Sequence, residues 1–411
     1  MRDAVIVEAV RSPVGRRDGR LRGVHPADLL GHVLRGLVER SGVDPTQVDD
    51  VIAGCVDQVG EQSVNVARNA WLGAGLPETV PATTIDRQCG SSQQAAHFAA
   101  QGIMAGAYDV AIACGVESMT RVPMLSNTGG ADPFGEGMRA RYGDGLVPQG
   151  LSAEMIAARW SISRAECDAL ALESHRRAAA TADVGDFGAE ILPVKVILED
   201  GSVEEVAADE GIRRDTSAER LAALQPAFRQ PAVAERYPDL PWVVTAGNAS
   251  QISDGAAALL VTTPDKAAEL GLTPRWRFHA FALAATDPIT MLTGPIPASR
   301  KVLDRAGLDI GDIDHVEVNE AFASVVAAWL RELGADAARV NPRGGAIALG
   351  HPLGGSGARL MTTMLHALEQ TGGRWGLQTM CEGGGLANAT VVERLARATP
   401  PAAHRRPILG A

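Results

Sequence analysis

The segment Gly42-Val-Asp-Pro-Thr-Gln-Val-Asp-Asp-Val51 returns, little altered, as Gly307-Leu-Asp-Ile-Gly-Asp-Ile-Asp-His-Val316, 265 residues later (307 against 42). Both copies follow a helical pattern and lead into a strand. A repeat at this spacing implies a duplicated domain, which restricts the chain to folds that can be built twice from one topology. Carried forward, the same offset sets Cys89-Gly-Ser-Ser92 over Gly354-Gly-Ser-Gly357, each a tight turn of small residues opening a helix. The two turns are expected at equivalent places in the two halves, at the carboxyl ends of strands, where open α/β sheets bind ligands.

Strand and helix patterns alternate along each half, which predicts an α/β protein with parallel sheets covered by helices. Strands are expected at 4–8, 51–55, 83–85 and 110–114, and helices at 27–40 and 92–105. Aromatics make up only 4% of the chain while Gly numbers 45, so the cores should be close-packed Ala, Val, Leu and Ile with many backbone contacts. Residues 121–150 are rich in Gly and Pro with little periodicity, residues 213–239 are irregular and Pro-bearing, and Ser163-Arg-Ala-Glu166 is a capping box that starts a helix running to about residue 181. The expected division is 1–120 plus 243–270, an inserted subdomain at 121–242, a second domain at 271–396 and a flexible tail at 397–411.

A formal charge of −11 gives no broad attraction for nucleic acid or an anionic membrane. The first residues lack the apolar core of a signal peptide, and no apolar run reaches membrane-spanning length. Five cysteines, at 55, 89, 114, 167 and 381, form no C-x-x-C pair and no zinc-type spacing with His, so free thiols, a cytoplasmic location and no metal site are expected.

Cys89 follows a strand and opens a helix, with Arg87 nearby. A helix N-terminus and a cation both favour thiolate, although a lone cysteine is more often a small buried hydrophobe. His351 lies among six glycines in the fourteen residues of 344–357, which let backbone approach a ligand and leave an imidazole exposed at a turn. Cys381 ends a strand and precedes Glu382-Gly-Gly-Gly385, whose N–H groups can turn inward toward an oxyanion. Asn319 follows the strand 316–318; taken alone it reads as the N-cap of a helix starting at Glu320. Together the four suggest nucleophile, base, second acid/base and oxyanion donor for acyl transfer. Cys55, Cys114 and Cys167 sit in apolar strand or helix patterns and read as structural.

At these residues the chain resembles the thiolase family. Cys89-Gly-Ser, Gly115-Val-Glu-Ser-Met119, Thr245-Ala-Gly-Asn-Ala-Ser250 with Ser253-Asp-Gly-Ala256, Asn319-Glu-Ala-Phe-Ala323, the His351 loop and Cys381-Glu-Gly-Gly-Gly385 stand in family order from Val5 to about Leu395. The resemblance implies two duplicated βαβαβαββ domains stacked as a five-layer α-β-α-β-α sandwich with an inserted loop subdomain. It implies that His351 deprotonates Cys89, which attacks the keto carbon of a 3-oxoacyl-CoA, and that Cys381 protonates the departing acetyl-CoA enolate. A second CoA then takes the acyl group, and the reverse direction is a Claisen condensation. One oxyanion hole would comprise His351 and a water on Asn319, the other the N–H groups of Cys89 and Gly383. CoA and acyl-CoA are substrates, with no permanently bound cofactor. They would lie along Ala249 and Ser250, with Arg213 or Arg220 near the nucleotide. The family also implies a homodimer or dimer of dimers, with other β-oxidation enzymes as candidate partners.

Ser92 stands where the family usually has glycine, Leu386-Ala387 where a long side chain and glycine are common, and Pro148-Gln149-Gly150 where acetoacetyl-specific members read His-Met-Gly. Gly60-Glu-Gln62 and Gln93-Gln94 look more like degradative members that take bulky or steroid side-chain acyl groups. A degradative thiolase is therefore the leading expectation. A biosynthetic acetyl-CoA C-acetyltransferase is the alternative among enzymes, and a non-catalytic acyl-CoA or lipid-binding scaffold is the alternative of another class. A decarboxylating condensing enzyme would usually carry His in place of Cys381.

Overall fold

The computed structural model of the chain describes residues 2–198 and 200–396; the tail expected at 397–411 lies outside the described residues. Its strands are, in chain order, β1 (Val5–Arg11), β2 (Gly15–Arg16), β3 (Asp50–Gly54), β4 (Ala82–Ile85), β5 (Val110–Ser118), β6 (Val194–Ile197), β7 (Val203–Val206), β8 (Ser253–Thr262), β9 (Trp276–Ala285), β10 (His315–Val318), β11 (Trp375–Glu382) and β12 (Leu386–Arg394). In the first half the order is β4-β3-β5-β8-β1, with β4, β3 and β5 parallel and β8 antiparallel to both β5 and β1. The second half repeats this as β10-β11-β12-β9, with β10 and β11 parallel and the rest antiparallel. Val340 bridges Val316 in parallel at the place that β4 holds in the first half.

The sequence repeat persists in three dimensions. β10 starts 265 residues after β3 (315 against 50), and β11 starts 265 after β5 (375 against 110). Helix Ser356–Thr371 also starts 265 after helix Ser91–Ala105 (356 against 91). The halves join edge to edge where Val5 and Ile6 of β1 pair with Arg277 and Trp276 of β9.

Alternation along the strands produces the layers, because successive side chains point to opposite faces of a sheet. Val110, Ile112, Cys114 and Val116 of β5 face an outer layer that contains helix Pro26–Ser41, through Leu30, Leu34 and Leu37. Ala111 and Ala113, the small residues between them, face helices Ser91–Ala105 and Ser356–Thr371. Those two helices share one core with residues from both halves, among them Leu259 of β8 and Trp276 of β9. Helices Pro295–Ala306 and Ala323–Leu333 cover the outer face of the second half through Val302 and Trp329. The result is the thiolase-type sandwich of helix, sheet, helix, sheet and helix.

The central helices approach so closely that backbone meets backbone at their N-termini. A Cβ on Gly357 would stand 2.2 Å from the Gln93 nitrogen, one on Gly54 2.3 Å from the Ser92 nitrogen, and one on Gly115 2.4 Å from the Gly354 oxygen. Ser92 joins the two turns directly, its Oγ accepting from the Ala358 N–H at 2.9 Å. The departure from glycine at position 92 thus supplies a strut between the halves.

The segment between β5 and β8 carries helices Gln149–Arg159 and Arg164–Asp183, the hairpin β6–β7 and the short helices Glu136–Tyr142, Ala218–Ala222 and Pro231–Arg236. Ser163 and Glu166 form the expected reciprocal capping box. Two sequence expectations need correction. The strand at 110–114 continues to Ser118, and the helix after Asn319 starts at Ala323 with Phe322 as its cap, so Asn319 is not an N-cap. No helix among the described residues is long and apolar enough to cross a membrane.

Replacing Gly357 with Ala should destabilise the fold by roughly 1–3 kcal/mol or more, because the added methyl meets main chain that cannot rotate away. Gly137→Ala, in open space, should be neutral or slightly stabilising. Urea denaturation of the two variants checks this.

Candidate functional site

The turn carrying Cys89 is built by short-range bonds between β4 and helix Ser91–Ala105. Gln88 adopts a left-handed conformation (φ 50°), an unfavourable backbone state for a residue with a side chain. Asp86 Oδ1 accepts from the Gln88 N–H at 2.6 Å. Ser91 Oγ accepts from the Arg87 N–H at 2.9 Å and donates to the Gln88 carbonyl at 2.6 Å. Gly90 caps the helix, leaving Cys89 just outside its first turn and buried.

Cys381 is the penultimate residue of β11, and Gly383-Gly-Gly385 turns the chain back into β12. Gly384 and Gly385 both have left-handed φ values, 80° and 85°, which accounts for glycine at those two positions. Gly383 packs on the Cys89 turn: a Cβ there would stand 2.9 Å from Gln88 Oε1. Cys89 shares an apolar cluster with Met380 and Leu353, the neighbours in sequence of Cys381 and the His351 loop.

His351 is buried beneath β8, where its N–H donates to Ser253 Oγ at 3.0 Å and to the Gln251 carbonyl at 3.3 Å. Its ring orientation follows from one hydroxyl proton. Ser356 Oγ donates that proton to the Pro352 carbonyl (2.8 Å), so at 2.6 Å from His351 Nδ1 it can only accept. The imidazole therefore carries its proton on Nδ1, and Nε2 keeps its lone pair free for use as a base. Asn319 Nδ2 stands 3.5 Å from that Nε2, and Asn319 Oδ1 has no hydrogen-bond partner on the protein. No hydrogen bond links Cys89 directly to His351 among the described residues; His351 instead bonds Ser356 and approaches Asn319.

Burial controls the resting charges. It pushes the Cys89 thiol up to about 12, with the Glu382 charge adding to it. Burial, then Cys89 itself, holds Cys381 well above the ordinary thiol range. His351 is pushed down to about 3 by burial and then by Arg359. This corrects the expectation that Arg87 and the helix N-terminus stabilise a Cys89 thiolate. Desolvation outweighs both, and the charge of Arg87 acts on Glu382 and His97 instead.

Two buried carboxyl groups clamp the loops. Glu117 on β5 accepts from the N–H groups of Val56, Asp57 and Gly354 (2.9, 3.1 and 2.8 Å) and from Gln62 Nε2 (2.6 Å), tying the β3 loop to the His351 loop. Glu320 accepts from Ser174 Oγ (2.7 Å), Asn341 Nδ2 (3.0 Å) and the Ile347 N–H (3.1 Å) on the opposite side of that loop. Sequence reading assigned no role to Glu117, Glu320, Ser253 or Ser356. All four lay inside the motifs that were noticed, but the partners of the first three are far away along the chain.

Of the residues expected at the CoA end, Ala249 bridges Phe322, and the Ser250 N–H donates to the Ala321 carbonyl at 2.9 Å, so both flank the Asn319 segment. Arg213 lines a cleft with His175, Gly247, Gln251 and Ile347. Arg220 lies outside that lining, exposed and paired with Asp215.

Comparison with known proteins agrees with this architecture. The family model described as thiolase, N-terminal domain, matches residues 4–265, and thiolase, C-terminal domain, matches 272–394. The chain is 50% identical over 403 residues to "Steroid 3-ketoacyl-CoA thiolase FadA6" of Mycobacterium tuberculosis, covering 96% of this chain and 95% of that one. It is 45% identical to a "3-ketoacyl-CoA thiolase" of Aliivibrio salmonicida, covering 96% and 100%. The crystal structure of a Bacillus anthracis acetyl-CoA acetyltransferase superposes with a TM-score of 0.86 at 38% identity, covering 96% of this chain and 99% of that one.

Ser356→Ala removes the acceptor for Nδ1–H. The Nδ1–H tautomer of His351 should lose population, read by ring 15N NMR, and acetylation of Cys89 by acetyl-CoA should slow by at least about tenfold.

Proposed function

The chain belongs to the thiolase family, and from that premise we propose that it cleaves 3-oxoacyl-CoA with CoA, giving acetyl-CoA and a shortened acyl-CoA through an acyl-Cys89 intermediate. The observations that support this reading are the closeness of the buried Cys89 and Cys381 thiols, the packing of Cys89 on Leu353 of the His351 loop, and an unprotonated His351 Nε2.

The resting thiol and imidazole are both neutral, and burial opposes separating their charges. The proton therefore passes from Cys89 to His351 Nε2 as the sulfur attacks the keto carbon, when the new charge moves onto the carbonyl oxygen. The N–H groups of Cys89 and Gly383 receive that oxyanion, a role supported by the packing of Gly383 on the Cys89 turn. The bond between C2 and C3 then breaks, and acetyl-CoA leaves as an enolate whose thioester oxygen is held at His351 and Asn319. Cys381 gives its proton to the enolate carbon. It recovers one from the incoming CoA thiol, whose sulfur takes the acyl group from Cys89, and His351 returns its proton to the departing Cys89 sulfur. Every step exchanges protons and thioesters among thiols, an imidazole and main-chain donors.

Residues 1–120 with 243–270 would supply Cys89, and residues 271–396 would supply Asn319, His351, Cys381 and Gly383. Residues 121–242 would hold CoA, with Ala249 and Ser250 at its pantetheine and Arg213 at its nucleotide; the pairing of Arg220 with Asp215 makes it the weaker candidate. The acyl group we assign is larger than acetoacetyl. This is supported by the 50% identity to a protein named for steroid 3-ketoacyl-CoA, and by Pro148 and Gln149, which stand where acetoacetyl-specific members carry His and Met. The reading extends to a cytoplasmic homodimer or dimer of dimers, supported by five buried free cysteines and by β4 as the terminal strand of its sheet.

Loss of 3-oxoacyl-CoA absorbance on adding CoA tests the activity. Wild type should be active and Cys89→Ala should lose at least about a thousandfold in kcat; equal rates would sink the reading. Across an acyl panel, kcat/KM for bulky or polycyclic 3-oxoacyl-CoA should exceed that for acetoacetyl-CoA by about tenfold or more. The reverse preference would favour the acetyl-CoA C-acetyltransferase alternative. Absence of any acyl adduct on Cys89 by mass spectrometry would favour the scaffold.

A further inference from the structure

One buried carboxyl beside the thiols is left without a task by the acyl-transfer scheme. Glu382 follows Cys381 at the end of β11 and is fully buried, and neither of its carboxyl oxygens has a hydrogen-bond partner among the described residues. Glu117 and Glu320, also buried, each gather at least three donors. Glu382 therefore lacks what a structural carboxylate in this protein has.

Its position is equally specific. The carboxyl lies against the Cα of Gly90, the residue after Cys89: a Cβ there would stand 2.0 Å from Glu382 Oε1 and 2.8 Å from Asn388 Nδ2. Asn388 Nδ2 donates to the Gly90 carbonyl at 3.1 Å, fixing the same turn from β12. One carboxyl is thus wedged under the nucleophile turn, adjacent in sequence to the second thiol.

The charged groups around it do not hold it as an anion. Arg87, on the Cys89 turn, favours the carboxylate, while Asp86 on the same turn opposes it. The Asn388 N–H on β12 draws near without reaching hydrogen-bond geometry. The remaining titratable neighbours are the thiols of Cys89 and Cys381, both disfavoured as anions by a Glu382 charge, and Glu117 beyond Cys89 on β5.

We propose that Glu382 is a positioning residue for the nucleophile. As an uncharged carboxylic acid it packs beneath the Cys89–Gly90 turn and leaves the thiol free to give up its proton; as a carboxylate it withholds the thiolate by placing a second negative charge in the same dry pocket. This rests on Cys89 being the nucleophile. Burial raises Glu382 to about 8, so the change falls in an accessible range. A stability consequence shares the cause. A carboxyl raised in the folded state binds a proton there that the unfolded chain has already released. Folding is thus unaffected by this group below pH 4.5 and loses stability progressively as pH rises from 4.5 to about 8.

The test is the rate of Cys89 alkylation by iodoacetamide from pH 6 to 10, followed by peptide mass spectrometry in wild type and Glu382→Gln. A thiol titrating alone gains about tenfold per pH unit below its pKa. Wild type should flatten above pH 8, whereas Glu382→Gln should keep the steeper rise and exceed wild type by at least about threefold at pH 9.5, with the two rates meeting near pH 6.5. Glu382→Asp, which keeps an ionisable group, should retain the flattening. The melting temperature of Glu382→Gln should pull ahead of wild type as pH rises from 5 to 9. Parallel profiles, a uniform slowing at every pH, or flattening that persists in Glu382→Gln would each overturn the proposal. If Glu382→Gln does not fold, the wild-type profile decides alone, an unbroken rise through pH 10 counting against it. Alkylation reads the thiol whether or not the chain performs thiolysis, so failure here is distinct from an active Cys89→Ala, which would remove the underlying reading.

Discussion

The contact on which the site depends is one between main chains. Helices Ser91–Ala105 and Ser356–Thr371 meet N-terminus to N-terminus because Gly357 leaves no side chain between them, Gly54 and Gly115 let β3 and β5 close against the same turns, and Ser92 bonds across the gap to Ala358. Cys89 precedes one of these helices and His351 the other. Any side chain inserted at that contact would drive apart two residues that lie more than 260 positions apart in sequence (351 against 89). The small alanines on the inward faces of β5 and β8 serve the same end by letting the central helices sink onto both sheets.

The second determinant is dryness. Cys89, His351 and Cys381 are all buried, and burial is the largest influence on the proton affinity of each. A site of this kind rests uncharged. It creates charge only where donors already stand, which is how low dielectric becomes an advantage for acyl transfer. The same dryness makes a carboxyl under the nucleophile turn consequential, because a charge at Glu382 would be screened by little but protein.

Much of this was legible in the sequence. The repeat around Val51 and Val316 foretold that the topology would be doubled, since repeated local patterns build repeated local structure. The thiol and imidazole turns were visible as glycine-rich breaks, although His351 follows the short helix Ala346–Leu349 and not a strand. Cys89 lies near Cys381 and His351 near Asn319, Cys89 packs on Leu353 of the His351 loop, and Gly383 reaches the Cys89 turn. What misled was electrostatics. Arg87 beside Cys89 in sequence suggested a stabilised thiolate, yet how far a charge acts depends on the solvent between, which sequence does not give. Asn319 looked like a helix cap because Glu320 and Ala321 favour helix locally, whereas the chain stays extended there to pair with the segment 248–250.

The sequence by itself determined the doubled α/β architecture, the residue types available for thiol chemistry and their places at strand ends, because these follow from periodicity and turn chemistry over short spans. Only the tertiary structure decided which nitrogen of His351 is the base, through the Ser356 hydroxyl and its Pro352 acceptor. It alone showed that Glu117 and Glu320 clamp the loops, and that Glu382 lies without donors beneath Gly90. The first is set within one turn, by where the Ser356 hydroxyl points once the loop is folded. The others depend on contacts between segments distant in the chain and on the exclusion of water around them, and neither is encoded in any local pattern of residues.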